Sequence, residues 1–241
     1  YEAIIIGAIM VGLALLILRD RPSDMGLDEH PENLGREADA LLKKQQGPAL
    51  HWTEILGSRA FWIPSLVVGM VSGTSQALVV TMVPYGVSLG LAAPSAAGLI
   101  SVFAIAAAIT KVSAGVLADY INQRFLLIAA ATVMALSWLT LGLSVAYWAL
   151  YTSAGMAGIA LGSALPTAAA LLAAHFGSAR FGAVMGWTYT LIGIISSGAS
   201  LSIGFIFDRL GGYHSAFLIF FALLACLLVG TLLVAPARKA A

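Results

Sequence analysis

Charge is scarce in this 241-residue chain: Asp, Glu, Lys and Arg together make up 10% of it, against about a quarter in an ordinary soluble domain. The few charged residues leave long stretches with none, from Ala60 to Thr110, from Phe125 to Ala174 and from Phe181 to Phe207. That scarcity argues against a water-soluble fold. A formal net charge of +1 offers no basic field, and no Lys/Arg cluster is interleaved with aromatics, which sets nucleic acid aside as a partner. The single cysteine, Cys226, has no partner for an intrachain disulfide and reads as a small packing residue. His30, His51, His175 and His214 all fall outside the apolar stretches. The signatures H-E-x-x-H, G-x-S-x-G, G-x-x-x-x-G-K-[ST] and C-x-x-C are missing, so nothing points to an enzyme, a nucleotide site, a metal or a cofactor.

What the chain has in abundance is apolar surface: 60% of its residues are hydrophobic and its mean hydropathy is +0.96. A bilayer crossing takes about 20 predominantly apolar residues in a helix. Splitting the uncharged stretches at turn residues predicts seven spans: Ala3 to Leu18, Phe61 to Leu89, Ser95 to Ala118, Phe125 to Ala146, Leu150 to Ala174, Phe181 to Phe207 and Ser215 to Ala235. Breaks are expected at Gly90 to Pro94, Asp119 to Arg124, Tyr147-Trp148, His175 to Arg180 and Asp208 to His214. None of the spans alternates with the two-residue period of a membrane β-barrel.

Positive residues set orientation because they stay in the cytoplasm. With seven spans, one side collects Arg19, Arg21, Arg36, Lys43, Lys44, Arg59, Arg124, Arg180, Arg238 and Lys239, the other has only Arg209, and Lys111 lies inside a span. The expected organisation is a membrane helix at 1–18, a cytoplasmic linker at 19–60 with a surface helix near Leu34 to Gln46, a six-helix bundle at 61–235, and a cytoplasmic tail at 236–241. Arg19 and Arg21 follow the first apolar stretch instead of preceding it. That is the wrong order for a signal peptide, and the chain reads as starting at an internal helix.

Two spans end alike. The third closes on Gly115-Val-Leu-Ala-Asp119 and the sixth on Gly204-Phe-Ile-Phe-Asp208, both G-x-x-x-D at the end of the second helix of a three-helix group. The derived topology puts the first on the cytoplasmic face and the second on the outer face. One unit flipped across the membrane plane, an inverted 3+3 repeat, produces that pattern.

Gly115 to Arg124 resembles the signature G-x-L-x-D-R/K-x-G-R/K-R/K of the major facilitator superfamily. Gly115, Leu117, Asp119 and Arg124 match, whereas Tyr120, Asn122 and Gln123 depart from it. Val83 to Leu91, Arg19 to Leu27 and Phe176 to Gly186 are similar to the bacterial monocarboxylate and oxalate/formate exchanger branch. The resemblance implies an all-α membrane protein equivalent to helices six to twelve of a twelve-helix transporter, with an N-terminal half as its partner. It also implies a bacterial inner-membrane location with the C-terminus inside, and a signature (Gly115, Asp119, Arg124, with Asp208 in the repeat) that gates alternating access.

Lys111 lies eight residues before Asp119, so it stands about 12 Å deeper along the helix. No Asp or Glu of the chain shares its depth. An ammonium there either snorkels to the interface on its stem or faces a cavity. The resemblance implies the second, because the family's basic residue four positions before the signature glycine binds the substrate carboxylate, and that position is Lys111. Where proton-coupled relatives carry an aspartate one turn earlier, this chain has Ala107. Gln76, Thr81, Ser163 and Tyr189 are further polar candidates for substrate contact at mid-depth, although hydroxyls in helices also bond their own backbone.

Trp62, Trp138, Trp148, Tyr85 and Tyr151 read as interfacial belts, and Pro84 and Pro166 as breaks or bends. Gly158, Gly162, Gly182 and Gly186 have the spacing of close helix contacts. Taken together, the sequence predicts a secondary transporter for a small organic anion in a lipid bilayer. A drug efflux transporter of the same superfamily and a non-transporting membrane receptor or scaffold are the rival readings.

Overall fold

A computed structural model describes residues 52–233. The first predicted span, most of the linker and the C-terminal tail lie outside the described residues. Among the described residues there are seven α-helices and no strand: α1 (Trp52–Gly57), α2 (Arg59–Ser88), α3 (Ala93–Tyr120), α4 (Gln123–Leu143), α5 (Tyr147–Phe176), α6 (Ser178–Leu210) and α7 (His214–Leu233). The last six are long and apolar enough to cross a membrane. Each coincides with an expected span to within a few residues at its ends.

The turns follow local chemistry. Ser58 caps α2 by accepting the Ala60 N–H at 3.2 Å, and Asn122 caps α4 by accepting that of Arg124 at 3.0 Å. These are the side-chain oxygens that helix N-termini favour. Gly177 and Gly211 have φ of 75° and 71°, values that cost a residue with a Cβ, so the breaks before α6 and α7 fall there. One predicted break is displaced. Tyr147-Trp148 forms the first turn of α5, and the chain turns instead at Ser144 to Ala146, where the Ser144 hydroxyl accepts the Ala146 N–H at 3.2 Å. Pro84 and Pro166 break neither α2 nor α5, which run through them; neighbouring helices make such a proline tolerable in a membrane.

The six long helices form two groups of three, α2 to α4 and α5 to α7, that exchange partners. The second helix of each group packs against the first helix of the other, α3 on α5 and α6 on α2, while α4 meets α7. Both exchanged crossings are built on a glycine pair. A Cβ on Gly158 would strike the Phe103 carbonyl oxygen, and one on Gly162 would lie 2.5 Å from the Ala107 carbonyl oxygen and 3.1 Å from the Lys111 backbone nitrogen. In the other crossing Ile195 of α6 fills the space over Gly69 and Gly73, at 2.7 and 2.8 Å from where their Cβ atoms would be. Gly69 and Gly73 precede Gly158 and Gly162 by 89 residues, the same offset that separates Gly115 from Gly204 and Asp119 from Asp208. The inverted repeat thus extends from the helix ends to the crossings.

Small residues matter here because lipid supplies no hydrophobic drive for helix association, leaving close packing and hydrogen bonds. Hydroxyl pairs supply two of the bonds that join helices: Ser65 with Thr188 at 3.0 Å (α2 to α6) and Ser137 with Ser153 at 2.8 Å (α4 to α5). Gly182 and Gly186 behave differently from the expectation. No described atom lies within 4 Å of where their Cβ would be, because α6, like α3, turns much of its length away from the bundle.

Trp138 is also not interfacial. It is fully buried, tilted against Phe220 and Phe217 with ring centroids 4.8 and 5.6 Å away. Tyr85 joins the same cluster, 5.0 Å from Phe217. Trp62, Trp148 and Tyr151 remain exposed. At the opposite end α1 buries Ile55 against Phe61, Leu172 and Val184.

Two outcomes follow from this packing. Gly162→Ala forces a methyl onto backbone that cannot rotate away, and the purified protein should unfold at lower temperature in detergent, by the equivalent of roughly 1–3 kcal/mol; an unchanged Tm would contradict the close crossing. Among the described residues the buried Trp138 indole N–H has no partner. Trp138→Phe should therefore cost far less than the roughly 3–5 kcal/mol expected of Trp138→Ala, and equal losses in thermal unfolding would contradict the unpaired N–H.

Candidate functional site

Where α2, α3 and α5 meet, the bundle leaves a cleft of about 430 Å³ lined by Ser72, Ala107, Ala108, Lys111, Leu161, Gly162 and Leu165. Its position follows from the crossing just described. Gly162 brings the α3 backbone against α5 at Ala107 and Lys111, so the turn that carries Lys111 is fixed at the edge of the cleft. Lys111 is exposed and is the sole charged residue of the lining. Its neighbours there are alanines, leucines and a glycine, with Ser72 the other polar residue.

The other expected contacts do not gather around it. Gln76 is exposed on α2, one turn beyond Ser72 and hence on the same helix face, but it does not line the cleft. Thr81 is buried, packs beside Tyr85 and Trp138, and donates to the Ala77 carbonyl at 2.7 Å. Ser163 donates to the Ile159 carbonyl of its own helix at 2.9 Å. Tyr189 is exposed on α6, away from the cleft.

The signature residues lie at the ends of helices. Asp119 is in the last turn of α3, and its side chain lies outside the described residues. Gly115 is exposed, with no described atom within 4 Å of where its Cβ would be. Arg124, at the start of α4, donates to the Thr231 carbonyl at 2.9 Å, which satisfies an end carbonyl of α7 with a cation at the negative pole of that helix. Asp208 is exposed near the end of α6.

A family model for the Major Facilitator Superfamily matches residues 65–241. The chain belongs to the Major Facilitator Superfamily. The match spans all six long helices apart from the first residues of α2, and it makes the protein a multi-pass membrane transporter that takes a small-molecule substrate across a lipid bilayer. A comparison with curated proteins finds no match.

For a superfamily transporter, a cleft among spanning helices with one ammonium on it is a place where an anion gains an electrostatic partner without leaving the membrane interior. Sequence reasoning missed Ser72. The signal was available, because Ser72 and Gln76 stand four residues apart on one helix and mark a single polar face, but only the second was picked out.

The hydroxyls turned to their own backbone should be dispensable for substrate recognition. Thr81→Val and Ser163→Ala are expected to change the KM for uptake by about twofold or less, the scale of ~0.5 kcal/mol. A tenfold rise in either would put that hydroxyl back in the substrate path.

Proposed function

We propose that this protein is a secondary transporter of small organic anions, monocarboxylates foremost, that works by alternating access with Lys111 as the anion contact. The observation that carries the proposal is the placement of Lys111 on an otherwise uncharged cleft between α2, α3 and α5. Among the described residues no carboxylate lines the cleft beside that ammonium, and an anionic solute that enters supplies the opposite charge. A drug or apolar cation would be repelled by the same group, so the cleft speaks against that rival.

The resemblance to the bacterial monocarboxylate and oxalate/formate exchangers supports the substrate class and a reading of the helices as the C-terminal half of a twelve-helix transporter. On that reading 1–18 is the sixth helix, 19–60 the cytoplasmic linker, 61–235 the bundle and 236–241 a cytoplasmic tail in a bacterial inner membrane. An N-terminal half completes the path. Gly115, Asp119 and Arg124 at one end of the bundle, and Asp208 at the other, are the gate positions as the halves rock. The Arg124 bond to the Thr231 carbonyl supports a fixed α4–α7 end against which such a gate works. Movement of the anion is coupled to another solute or ion.

The test is uptake of a radiolabelled monocarboxylate by full-length protein in liposomes. Lys111→Ala should raise KM by about tenfold or more, the scale of a lost hydrogen bond to a charged group. Undiminished uptake with unchanged KM would remove the anion-contact role, and solute-independent behaviour of the unaltered protein would point to a receptor or scaffold.

A further inference from the structure

Polarity is distributed unevenly around the cleft. At the offset of 89 residues that relates the two groups, Ser72 corresponds to Leu161 and Lys111 to Ser200. Leu161 lines the cleft together with Leu165. One side therefore carries a hydroxyl on α2 and an ammonium on α3, and the facing α5 wall carries two leucines and the backbone at Gly162.

The Ser72 hydroxyl is unusual for its helix. Thr74, Ser75 and Thr81 of α2 each donate to a carbonyl of α2, at 2.7 Å in every case. The Ser72 hydroxyl makes no hydrogen bond among the described residues, and the residue is half-buried on the cleft. A donor in that condition is available to a ligand, and it gains from one because a polar group half-withdrawn from water without a partner is destabilising.

The ammonium of Lys111 has a complementary shortfall. Lysine engages a carboxylate as a point charge, without the planar two-pronged fork of arginine, so it satisfies one carboxylate oxygen well and leaves the other in need of a donor. Ser72 is the one remaining side-chain donor on the lining.

We infer that Ser72 is the second donor of the substrate site: Lys111 and Ser72 hold the two oxygens of one carboxylate, and the aliphatic body of the substrate lies against Leu161 and Leu165. The inference rests on the reading of Lys111 as the anion contact and sharpens it. A substrate with one carboxylate and an apolar tail matches both walls. A dicarboxylate does not, because its second charge would be set against the leucines with no cation or donor to replace its water.

The experiment uses full-length protein in liposomes, the linear monocarboxylates from acetate to hexanoate as labelled probes, and malonate as competitor. Ser72→Ala should raise KM for each transported probe by about tenfold, the scale of a hydrogen bond to a charged acceptor, with kcat changed less. Ser72→Thr, which keeps the hydroxyl, should restore KM, and malonate should compete poorly. A merely structural role for Ser72 would lower the amount of active protein and its kcat without this KM shift and without rescue.

A KM for Ser72→Ala equal to that of the unaltered protein, in preparations where Lys111→Ala raises it, overturns the role of Ser72 and leaves that of Lys111. Efficient competition by malonate overturns the two-wall assignment. No uptake of any probe, or no effect of Lys111→Ala, overturns the underlying anion reading. If Ser72→Ala fails to reconstitute, calorimetric binding of the best probe to detergent-purified protein decides the same question, with an unchanged Kd counting against Ser72.

Discussion

The structure depends on backbone lying directly on backbone where α3 crosses α5. Within a bilayer, helices gain nothing from hiding apolar side chains from one another, since lipid is equally apolar. What holds them is contact close enough for dispersion and dipolar interactions to accumulate, and that requires residues without side chains at the crossing. Gly158 and Gly162 provide them, leaving no room for a Cβ against Phe103, Ala107 and Lys111. The equivalent pair, Gly69 and Gly73, receives Ile195 at the other crossing. The same device, used twice at a constant offset, defines the exchanged pairing of the two groups of helices.

That constraint connects packing to chemistry. The Lys111 backbone nitrogen is part of the close contact with Gly162, so the turn that carries the lysine is fixed at the crossing, and the residue borders the cleft that the crossing leaves beside α2. The repeat explains why the cleft exists and not what it recognises. Recognition comes from where the two copies differ: Ser72 against Leu161, Lys111 against Ser200. A symmetric scaffold with asymmetric substitutions near its centre is an economical way to give one cavity a polar and an apolar wall.

Much of the fold was legible in the sequence because membrane helices are specified by long uncharged stretches, which a local reading detects. The six described spans fall where that reading puts them, and Gly177 and Gly211 mark two of the breaks. The signature resemblance led to the superfamily, which the family match establishes. Burial within the bundle was not legible, because every face of these helices is apolar and hydropathy does not tell lipid from a neighbouring helix. Hence Trp138 was read as interfacial and proved to be core, and Gly182 and Gly186 were read as packed but meet no neighbour among the described residues. Thr81 and Ser163 were named as contacts on depth and on the helices that carry them, and the structure shows both donating to carbonyls of their own helices. Lys111 was singled out on charge and depth, properties that survive folding. Ser72 was overlooked although it shares a helix face with Gln76, because that it and not Gln76 borders the cleft depends on where three helices meet.

The central claim is that the α3–α5 crossing presents position 111 to an aqueous cleft that a carboxylate enters. Cysteine accessibility with Lys111 left in place tests it most directly: Ala108→Cys, on the same lining one turn before Lys111, in full-length protein with Cys226→Ser and any other cysteine replaced, treated with a cationic, membrane-impermeant thiosulfonate. Modification from water, slowed by a saturating monocarboxylate, is the predicted result. A thiol that reacts only with lipid-soluble reagents, at a rate indifferent to carboxylates, would contradict the account.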